Sequence, residues 1–461
     1  MRPTQWRPST HLIVGVGVLA IVAAVVAATA MLTASGRGAS VAQVPPPPPA
    51  VTAKPSIVPV ADSAPMPTTS ALAAALAAAV ADPNLGRLGG RVTDAMSGKE
   101  LWQQLDDAPM QPASTNKTLT SAAALLALDR EARVTTRVVA ATQPGAIVLV
   151  GGGDPTLSAA PPGQDTWYHG AARISDLADQ VRRSGVTPMA VQVDTSLFSG
   201  PTMAPGWDPA DIEGGDIAPI ESVMLDAGRI QPATDESRRS VTPALDAGRA
   251  LAAALGVDTQ QVTITGHPVT VGARQLAAVQ SAPLIDRLNE MMNVSDNVMA
   301  ECIAREVAAS MHRPLSFAGA VDAVTNRLNT AHVETGSATL QDSSGLSVDD
   351  RLTAKILDSV VQAAAGPDQP TLRPLLDLLP IAGGSGTLSD RFLDATANAG
   401  PAGWLRAKTG SLTAINALAG VVTDRSGRVL TFALISNDAG PTGRTAIDTL
   451  AATLWSCGCA T

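Results

Sequence analysis

The sequence predicts an α/β fold that is interrupted by an inserted region. Strand-like and helical segments alternate at both ends of the folded part, whereas a long middle segment mixes short strands, proline-rich loops and helices. Hydrophobic residues make up 45% and charged residues 16% of the chain, which is the balance of a globular protein. The length of 461 residues exceeds that of one typical domain, so two or more structural units are expected.

The chain opens with Arg2 and Arg7, followed by an uncharged apolar run over residues 12–32. A run of this length can cross a bilayer, and the positive charge before it predicts that the rest of the chain lies outside the cytoplasm. Ala28–Ala30 also offers a small-residue cleavage site, so residues 1–34 are predicted to be either a signal peptide or a membrane anchor. Both alternatives predict an extracytoplasmic protein, either secreted or anchored to the plasma membrane by residues 12–32.

Residues 35–69 are predicted to be a proline-rich linker that contains the run Pro45–Pro49. Polyproline is extended and stiff, so this segment would hold a folded domain away from a membrane. The folded domain is predicted to comprise residues 70–138 and 269–461, with residues 139–268 inserted between its two parts.

The order of the predicted elements supports this division. An alanine-rich helix comes first and a hairpin follows it, while helices and strands alternate again near the C-terminus. The predicted helices are Ala71–Ala81, Ser114–Leu128, Ser175–Ser184, Leu284–Val307 and Arg444–Trp455, and the predicted strands are Arg91–Ala95, Glu100–Gln104, Val138–Val150, Ala190–Asp194, Ala417–Thr423 and Val429–Ser436.

A serine and a lysine stand three positions apart in the motif Ser114–Lys117, at the predicted start of a helix. Helical residues at this spacing share a face, so the hydroxyl of Ser114 and the amine of Lys117 would lie side by side. A serine becomes a nucleophile when a base removes its proton, and a lysine whose pKa is lowered by burial can be that base. Lysine is scarce here, since the chain has only five, and two of them lie in the motifs described in this section.

Two further motifs follow in the chain. Ser295–Asn297 lies on a predicted helix and offers a hydroxyl for proton transfer and an amide for a substrate carbonyl. Lys408–Ser411 precedes a predicted strand, where Lys408 and Thr409 would present a cation and a hydroxyl to a carboxylate and Gly410 would permit a close backbone approach. Each motif alone also fits an ordinary helix segment or turn, whereas their combination in this order is specific.

The three motifs together resemble those of penicillin-binding, serine-type D-Ala-D-Ala peptidases. The chain is most similar to the class C low-molecular-mass penicillin-binding proteins, the D-alanyl-D-alanine carboxypeptidase/endopeptidase family, and the resemblance covers residues 70–461. Ser114 and Ser295 lie 181 positions apart, which leaves room for an insertion and favours this group over a β-lactamase. Further matching stretches are Gly151–Leu157, Asp342–Ser347 and Leu379–Leu388.

This resemblance implies a penicillin-binding/β-lactamase-like transpeptidase domain, an antiparallel sheet flanked by helices plus a helical subdomain, interrupted by an inserted α+β region. It implies that Ser114 attacks the carbonyl of the penultimate D-Ala to form an acyl-enzyme, with Lys117 as the base. Ser295 would pass a proton to the leaving amine, and Asn297 would bind the peptide.

The resemblance also implies the remaining substrate contacts. Lys408 and Thr409 would hold the terminal carboxylate beside Gly410, and the backbone N–H groups of Ser114 and Ser411 would form the oxyanion hole. The implied partners are peptidoglycan stem peptides that end in D-Ala-D-Ala, and β-lactam antibiotics as covalent inhibitors. The implied chemistry needs no cofactor and no metal.

Other sequence features narrow the range of functions. The net charge is −9 and no basic block lies in the body of the chain, which disfavours binding to nucleic acid. The histidines show no ligand spacing and the cysteines form no C-x-x-C pair, so a metal site has no support. Cys302 is expected to be a buried apolar residue, and the pairing among Cys302, Cys457 and Cys459 is left open.

Two alternative functions remain at this point. A β-lactamase or esterase could use the same serine and lysine, and a non-catalytic wall-binding scaffold could keep the same fold. Within the preferred interpretation, the balance between carboxypeptidase and endopeptidase depends on how open the cleft is, which motifs do not encode.

Overall fold

The computed structural model describes residues 23–25, 63–232, 234, 237–393 and 398–458. The chain forms two compact units, residues 1–59 and residues 60–461. Of the predicted N-terminal segments 1–34 and 35–69, the structure describes only residues 23–25, which are helical, and the last residues before the folded domain. Within these described ranges, no helix is long and apolar enough to cross a membrane.

Ten strands lie in the described part of the larger unit. They are β1 (Arg87–Asp94), β2 (Glu100–Gln104), β3 (Thr135–Ala140), β4 (Ala146–Val150), β5 (Ala190–Asp194), β6 (Val262–Thr265), β7 (Gln275–Gln280), β8 (Leu405–Leu412), β9 (Ile415–Thr423) and β10 (Val429–Asn437).

The same residues contain eleven α-helices and several short 3₁₀ turns. The helices are α1 (Thr69–Val80), α2 (Lys117–Ala127), α3 (Ile174–Arg183), α4 (Ala210–Gly214), α5 (Pro243–Leu255), α6 (Leu284–Val294), α7 (Asn297–Ser310), α8 (Phe317–Thr330), α9 (Ala354–Ala365), α10 (Leu375–Leu378) and α11 (Gly443–Ser456).

The first sheet has the order β2-β1-β10-β9-β8, and all of its neighbouring strands are antiparallel. Strand β1 pairs with β10 along its whole length, from Arg87 opposite Asn437 to Asp94 opposite Leu430. The beginning and the end of the folded chain therefore meet in one sheet. This arrangement matches the expected α/β domain in which both ends contribute to the same core.

The second sheet has the order β6-β5-β4-β3-β7 and is mixed. Strands β4, β5 and β6 are parallel, whereas β3 is antiparallel to both of its neighbours. Parallel neighbours need crossover connections, and α3 and α5 provide them while burying their apolar faces on the sheet. The sheet is built by residues 135–280, a span that includes the predicted insertion 139–268.

The segment Val138–Val150, predicted as strand, is instead split into a hairpin. Strand β3 ends at Ala140 and β4 begins at Ala146, and the two pair antiparallel. The intervening residues include Pro144 and Gly145, and Gly145 has a φ of +78°. A proline–glycine pair favours a turn over extended strand, so the apolar run folds back on itself.

Helices cover both faces of the first sheet. On one face α1 packs against α11, and α11 packs on β9. On the other face α9 packs on β1 and β10, and it connects the sheet to the helical part formed by α2, α7 and α8. The core between these layers consists mainly of alanine and branched aliphatic side chains, as the low aromatic content of 2% requires. The edge strand β8 contacts the turn Ala113–Asn116 that precedes α2.

Cys302 lies buried in α7 as a free thiol, as expected for a small apolar core residue. Burial raises the pKa of this thiol well above its ordinary value. Cys457 is disulfide-bonded, and Cys459 lies outside the described residues.

The close contact between β8 and β9 at Gly420 allows the packing of these two strands to be tested. A Cβ atom at Gly420 would lie 2.0 Å from the carbonyl oxygen of Arg406 and 2.6 Å from the Cα atom of Ala407. We predict that Gly420→Ala lowers the free energy of unfolding by about 1–3 kcal/mol, because the strands must separate to admit the methyl group. Urea denaturation measures the change.

Gly336→Ala is the matched control, since a Cβ atom there would meet no atom within 4 Å. The control should leave the unfolding midpoint unchanged or slightly raised. Equal stability of Gly420→Ala and wild type would contradict the packing of β8 on β9.

Candidate active site

Ser114 lies in a 3₁₀ turn, Ala113–Asn116, and not in the α-helix that the sequence predicted from Ser114 onward. The α-helix begins only at Lys117. The turn is held in an unusual conformation, because Ala113 has a φ of +47°. Gly345 packs against it so closely that a Cβ atom on Gly345 would lie 1.9 Å from the carbonyl oxygen of Ala113. The serine is therefore presented on a tight turn that packing from another segment maintains.

The amine of Lys117 is fully buried and makes three hydrogen bonds. Its Nζ donates to Oγ of Ser114 at 3.0 Å, to Oδ1 of Asn297 at 2.6 Å and to the carbonyl oxygen of Ser344 at 2.8 Å. The oxygens of Asn297 and Ser344 can each accept one hydrogen bond from a neutral amine, which leaves the lone pair of the amine for the hydroxyl of Ser114. The arrangement suits a base that accepts the serine proton.

Burial also changes the acidity of Lys117. It lowers the pKa of the amine to about 8, against the opposing effect of the nearby carboxylates of Asp342, Asp296, Glu301 and Asp216. A substantial fraction of the amine is then neutral near physiological pH, which is the condition for general-base action.

Ser295 and Asp296 lie in a break between two helices, so the prediction of one helix over Leu284–Val307 is wrong. Helix α6 ends at Val294, Ser295 has a left-handed φ of +60°, and α7 begins at Asn297. Asp296 caps α7 by accepting a hydrogen bond from the backbone N–H of Met299 at 2.9 Å. The break turns Ser295 and Asn297 toward Lys408 and Lys117, which a continuous helix would not allow.

Asn297 connects two parts of the chain through its side-chain amide. Its Oδ1 accepts from Lys117, and its Nδ2 donates to the carbonyl oxygen of Asp216 at 3.0 Å. Asp216 belongs to the region between the first two motifs, so this region contributes directly to the site.

Lys408 lies inside strand β8, and not before a strand as the sequence predicted. Its buried Nζ donates to Oγ of Ser295 at 2.9 Å and to the carbonyl oxygen of Thr409 at 3.0 Å. Burial, followed by the charges of Lys117 and Arg391, lowers the pKa of Lys408 well below its ordinary value. A carboxylate that entered the cleft would favour the protonated form of Lys408.

The other residues of the third motif line the approach to Ser114. A Cβ atom on Gly410 would lie 2.7 Å from the carbonyl oxygen of Pro112, so glycine permits β8 to contact the turn that carries the serine. Oγ1 of Thr409 lies 2.8 Å from Oγ1 of Thr387, and Ser411 is exposed at the cleft.

The cleft has a volume of about 780 Å³ and is lined by charged residues of both signs. Asp208, Asp211 and Asp216 line it from the region between the first two motifs, whereas Arg391 and Arg444 line it from the C-terminal part. Burial and then the charges of Asp216 and Asp208 raise the pKa of Asp211. The structure thus places Ser114, Ser295, Asn297, Thr409 and Ser411 in a single cleft, with the two lysines beneath its floor.

The sequence assigned no role to two buried acidic residues that support the site, although it placed one of them, Asp342, in the matching stretch Asp342–Ser347. Asp342 accepts four hydrogen bonds, from the backbone N–H groups of residues 344, 345 and 347 and from Nε1 of Trp207. Glu301 accepts from the backbone N–H of Ser343 at 2.8 Å, and burial together with Asp342 raises the pKa of Glu301 to about 7. Glu301 lies one helical turn after Asn297, and this spacing was the one local signal that could have indicated it.

Among the described residues, no group of three or more His, Cys, Asp or Glu side chains is arranged to hold a metal ion.

Comparison with known proteins identifies relatives over the whole chain. Residues 72–237 and 232–454 match the model of the D-Ala-D-Ala carboxypeptidase 3 (S13) family, and residues 1–59 match that of the Carboxypeptidase Rv3627c-like, N-terminal domain. The chain is 70% identical to Carboxypeptidase Rv3627c of Mycobacterium tuberculosis and 68% identical to Carboxypeptidase DacB of Mycolicibacterium smegmatis, and each alignment covers 100% of both chains.

A solved structure shares the fold. Penicillin binding protein 4 (dacB) from Haemophilus influenzae matches with a TM-score of 0.68 at 23% identity, covering 85% of this chain and 99% of that chain. The antiparallel sheet with flanking helices is therefore the penicillin-binding fold that the three motifs predicted.

The lowered pKa of Lys117 predicts how acylation of Ser114 depends on pH. Below about pH 8 the amine is protonated and cannot accept the serine proton, so the rate should rise with pH and level off above about pH 8. The second-order rate constant for reaction with a labelled penicillin, measured from about pH 6 to about pH 10, tests this expectation.

Lys117→Arg is the control, because arginine keeps the positive charge but does not give up its proton. It should react far more slowly at every pH and show no such rise. A wild-type rate that is flat or falls across this range would show that Lys117 is not the base.

Proposed function

The chain belongs to the D-Ala-D-Ala carboxypeptidase 3 (S13) family, and from this premise we propose that Ser114 is the nucleophile of its peptidase reaction. The enzyme is a serine-type D-Ala-D-Ala carboxypeptidase with a penicillin-binding fold. The observation that carries the residue assignment is the buried amine of Lys117, bonded to Oγ of Ser114 at 3.0 Å.

In the acylation step, neutral Lys117 takes the proton from the hydroxyl of Ser114. The oxygen then forms a bond to the carbonyl carbon of the penultimate D-Ala, and the peptide bond to the terminal D-Ala breaks. The backbone N–H groups of Ser114 and Ser411 are the proposed donors to the oxyanion that develops on the carbonyl oxygen.

The leaving amine must gain a proton as the peptide bond breaks. Ser295 is the proposed relay, because its Oγ accepts a hydrogen bond from Nζ of Lys408 at 2.9 Å. Ser295 would donate its proton to the leaving nitrogen, and the proton taken up by Lys117 would pass back to Ser295, which returns Lys117 to its neutral form. Water then attacks the acyl carbon while Lys117 takes a proton from that water. The ester bond to Ser114 breaks, and Lys117 returns the proton to Oγ of Ser114.

Recognition of the substrate is proposed to involve the second and third motifs. Lys408 and Thr409 would bind the terminal carboxylate, which restores the protonated form of the buried Lys408 amine. Asn297 would donate to a peptide carbonyl from the opposite wall while its own carbonyl oxygen holds Lys117. The same arrangement would accept a β-lactam ring, whose acyl group would remain on Ser114.

The N-terminal segment leads to a proposal about location. The basic residues Arg2 and Arg7, followed by the apolar run at residues 12–32, support export of the folded domain to an extracytoplasmic space, where its peptidoglycan substrate lies. The segment would act either as a cleaved signal or as an anchor in the plasma membrane.

We predict that the purified chain releases D-Ala from a monomeric pentapeptide muropeptide. A crosslinked dimer muropeptide, supplied in a parallel reaction, tests whether the cleft also admits a larger leaving group. Mass spectrometry should show loss of one alanine from the monomer, and conversion of the dimer to monomers would add endopeptidase activity.

Ser114→Ala should abolish both reactions and covalent labelling by penicillin, since no acyl-enzyme can form. Release of D-Ala at the wild-type rate by Ser114→Ala would contradict the nucleophile assignment. Tight binding of the wild-type protein to peptidoglycan without any release would favour a non-catalytic scaffold, and rapid turnover of nitrocefin would favour a β-lactamase.

The proposal about location predicts that protease added to intact spheroplasts digests the folded domain. Intact-mass measurement of the recovered chain would then separate a cleaved signal from an uncleaved anchor. Protection of the domain from the protease, with release only on lysis, would contradict export.

A further inference from the structure

The turn Ser295–Asn297 is held by residues from the region between the first two motifs. The chain has a single tyrosine, Tyr168, and its side chain is 1% exposed. The Tyr168 hydroxyl donates to Oδ2 of Asp296 at 2.5 Å. Asp296 is the cap residue of α7 and the direct neighbour of both Ser295 and Asn297, so this contact reaches the centre of the second motif.

The charges around this hydrogen bond keep it in place. Burial, and then the charge of Asp296, raises the pKa of Tyr168 well above its ordinary value, so the hydroxyl remains a donor. Burial alone would raise the pKa of Asp296, but Arg239 and the Tyr168 hydroxyl offset this effect and the pKa is lowered. Asp296 therefore stays ionised and keeps its two acceptor oxygens.

Arg239 connects the same carboxylate to the other side of the turn. Its Nη2 lies 4.0 Å from Oδ2 of Asp296, and its Nε donates to the carbonyl oxygen of Gly215 at 2.9 Å. The next residue, Asp216, accepts the hydrogen bond from Nδ2 of Asn297 at 3.0 Å. The region between the first two motifs thus contacts the turn at Asp296 through Tyr168 and at Asn297 through Asp216.

The conformation of Ser295 explains why such support matters. A non-glycine residue with a φ of +60° is disfavoured by contacts between its own Cβ and backbone, so it persists only where neighbours hold it. If the turn relaxed, Oγ of Ser295 would move away from Nζ of Lys408, now 2.9 Å distant, and Oδ1 of Asn297 would move away from Lys117.

We propose that Tyr168 is a positioning residue for the acyl transfer reaction, acting through the carboxylate of Asp296 on the orientation of Ser295 and Asn297. The region between the first two motifs then helps to position the residues that carry out the reaction. This inference rests on the proposed function, because it assigns Tyr168 a role in the reaction of Ser114.

The test compares Tyr168→Phe with wild type in the full chain. Acylation by a labelled penicillin at saturating concentration should slow by about tenfold or more, because a small displacement of catalytic groups has a large effect on rate. The melting temperature is measured on the same samples. A Tyr168→Phe variant that is acylated at the wild-type rate would overturn the proposal.

Thr431→Val is the matched control. Oγ1 of Thr431 also donates to a buried carboxylate, Oδ1 of Asp358 at 2.7 Å, on the face of the sheet covered by α9. The control should lower the melting temperature as Tyr168→Phe does while keeping the wild-type acylation rate. An equal loss of acylation in both variants would mean that the effect of Tyr168 is one of general stability, and would also overturn the proposal.

A double-mutant cycle with Asp296→Asn shows whether Tyr168 acts through Asp296. The rate loss of the double variant should equal that of the more damaging single variant, because both remove the same contact. Losses that multiply would contradict the proposed route. If Tyr168→Phe fails to fold, Asp296→Asn alone must still slow acylation, and a wild-type rate in that variant would overturn the proposal.

Failure of this inference can be told apart from failure of the proposed function. A wild-type chain that is not acylated at Ser114 would contradict the assignment of the nucleophile. A wild-type chain that is acylated, together with a Tyr168→Phe variant acylated equally fast, would contradict only the positioning role.

Discussion

The burial of the Lys117 amine is the constraint on which the geometry of the cleft depends. An amine removed from water destabilises the fold unless hydrogen-bond partners replace its hydration. Those partners come from three separate segments, through Ser114, Asn297 and Ser344, so the site forms only when these segments pack together. The same burial lowers the pKa of Lys117 to about 8. Burial of this amine therefore both requires the three segments to pack together and prepares the amine to act as a base.

Two residues of the site have unfavourable backbone conformations. Ala113 and Ser295 both have positive φ values, and Gly345 must lack a side chain to lie against the carbonyl of Ala113. Such conformations persist only where surrounding contacts hold them. At Ala113 the contact comes from the loop that Asp342 organises, and at Ser295 it comes from the cap residue Asp296 and its buried partners. The reactive groups consequently lie on turns between regular elements, where their side chains can converge.

The region between the first two motifs contributes to this convergence at three points. Trp207 donates to Asp342, Tyr168 donates to Asp296, and the carbonyl of Asp216 accepts from Asn297. It also supplies three aspartates that line the cleft, Asp208, Asp211 and Asp216. The same segment therefore contributes to two hydrophobic cores: that of its own sheet, and the one beneath the site that contains Tyr168 and Trp207.

Local sequence patterns determined the elements whose structure depends on near neighbours. Strands β2 and β5 were predicted with their observed bounds, and the pairing of Ser114 with Lys117 follows from a spacing of three residues. Only the tertiary structure decided the break at Ser295, the extension of β8 through Lys408, and the supporting contacts of Tyr168 and Glu301. Each of these depends on partners far away in the chain, and periodicity along the sequence carries no information about such partners. The motifs therefore indicated which side chains take part, while packing decided how they face one another.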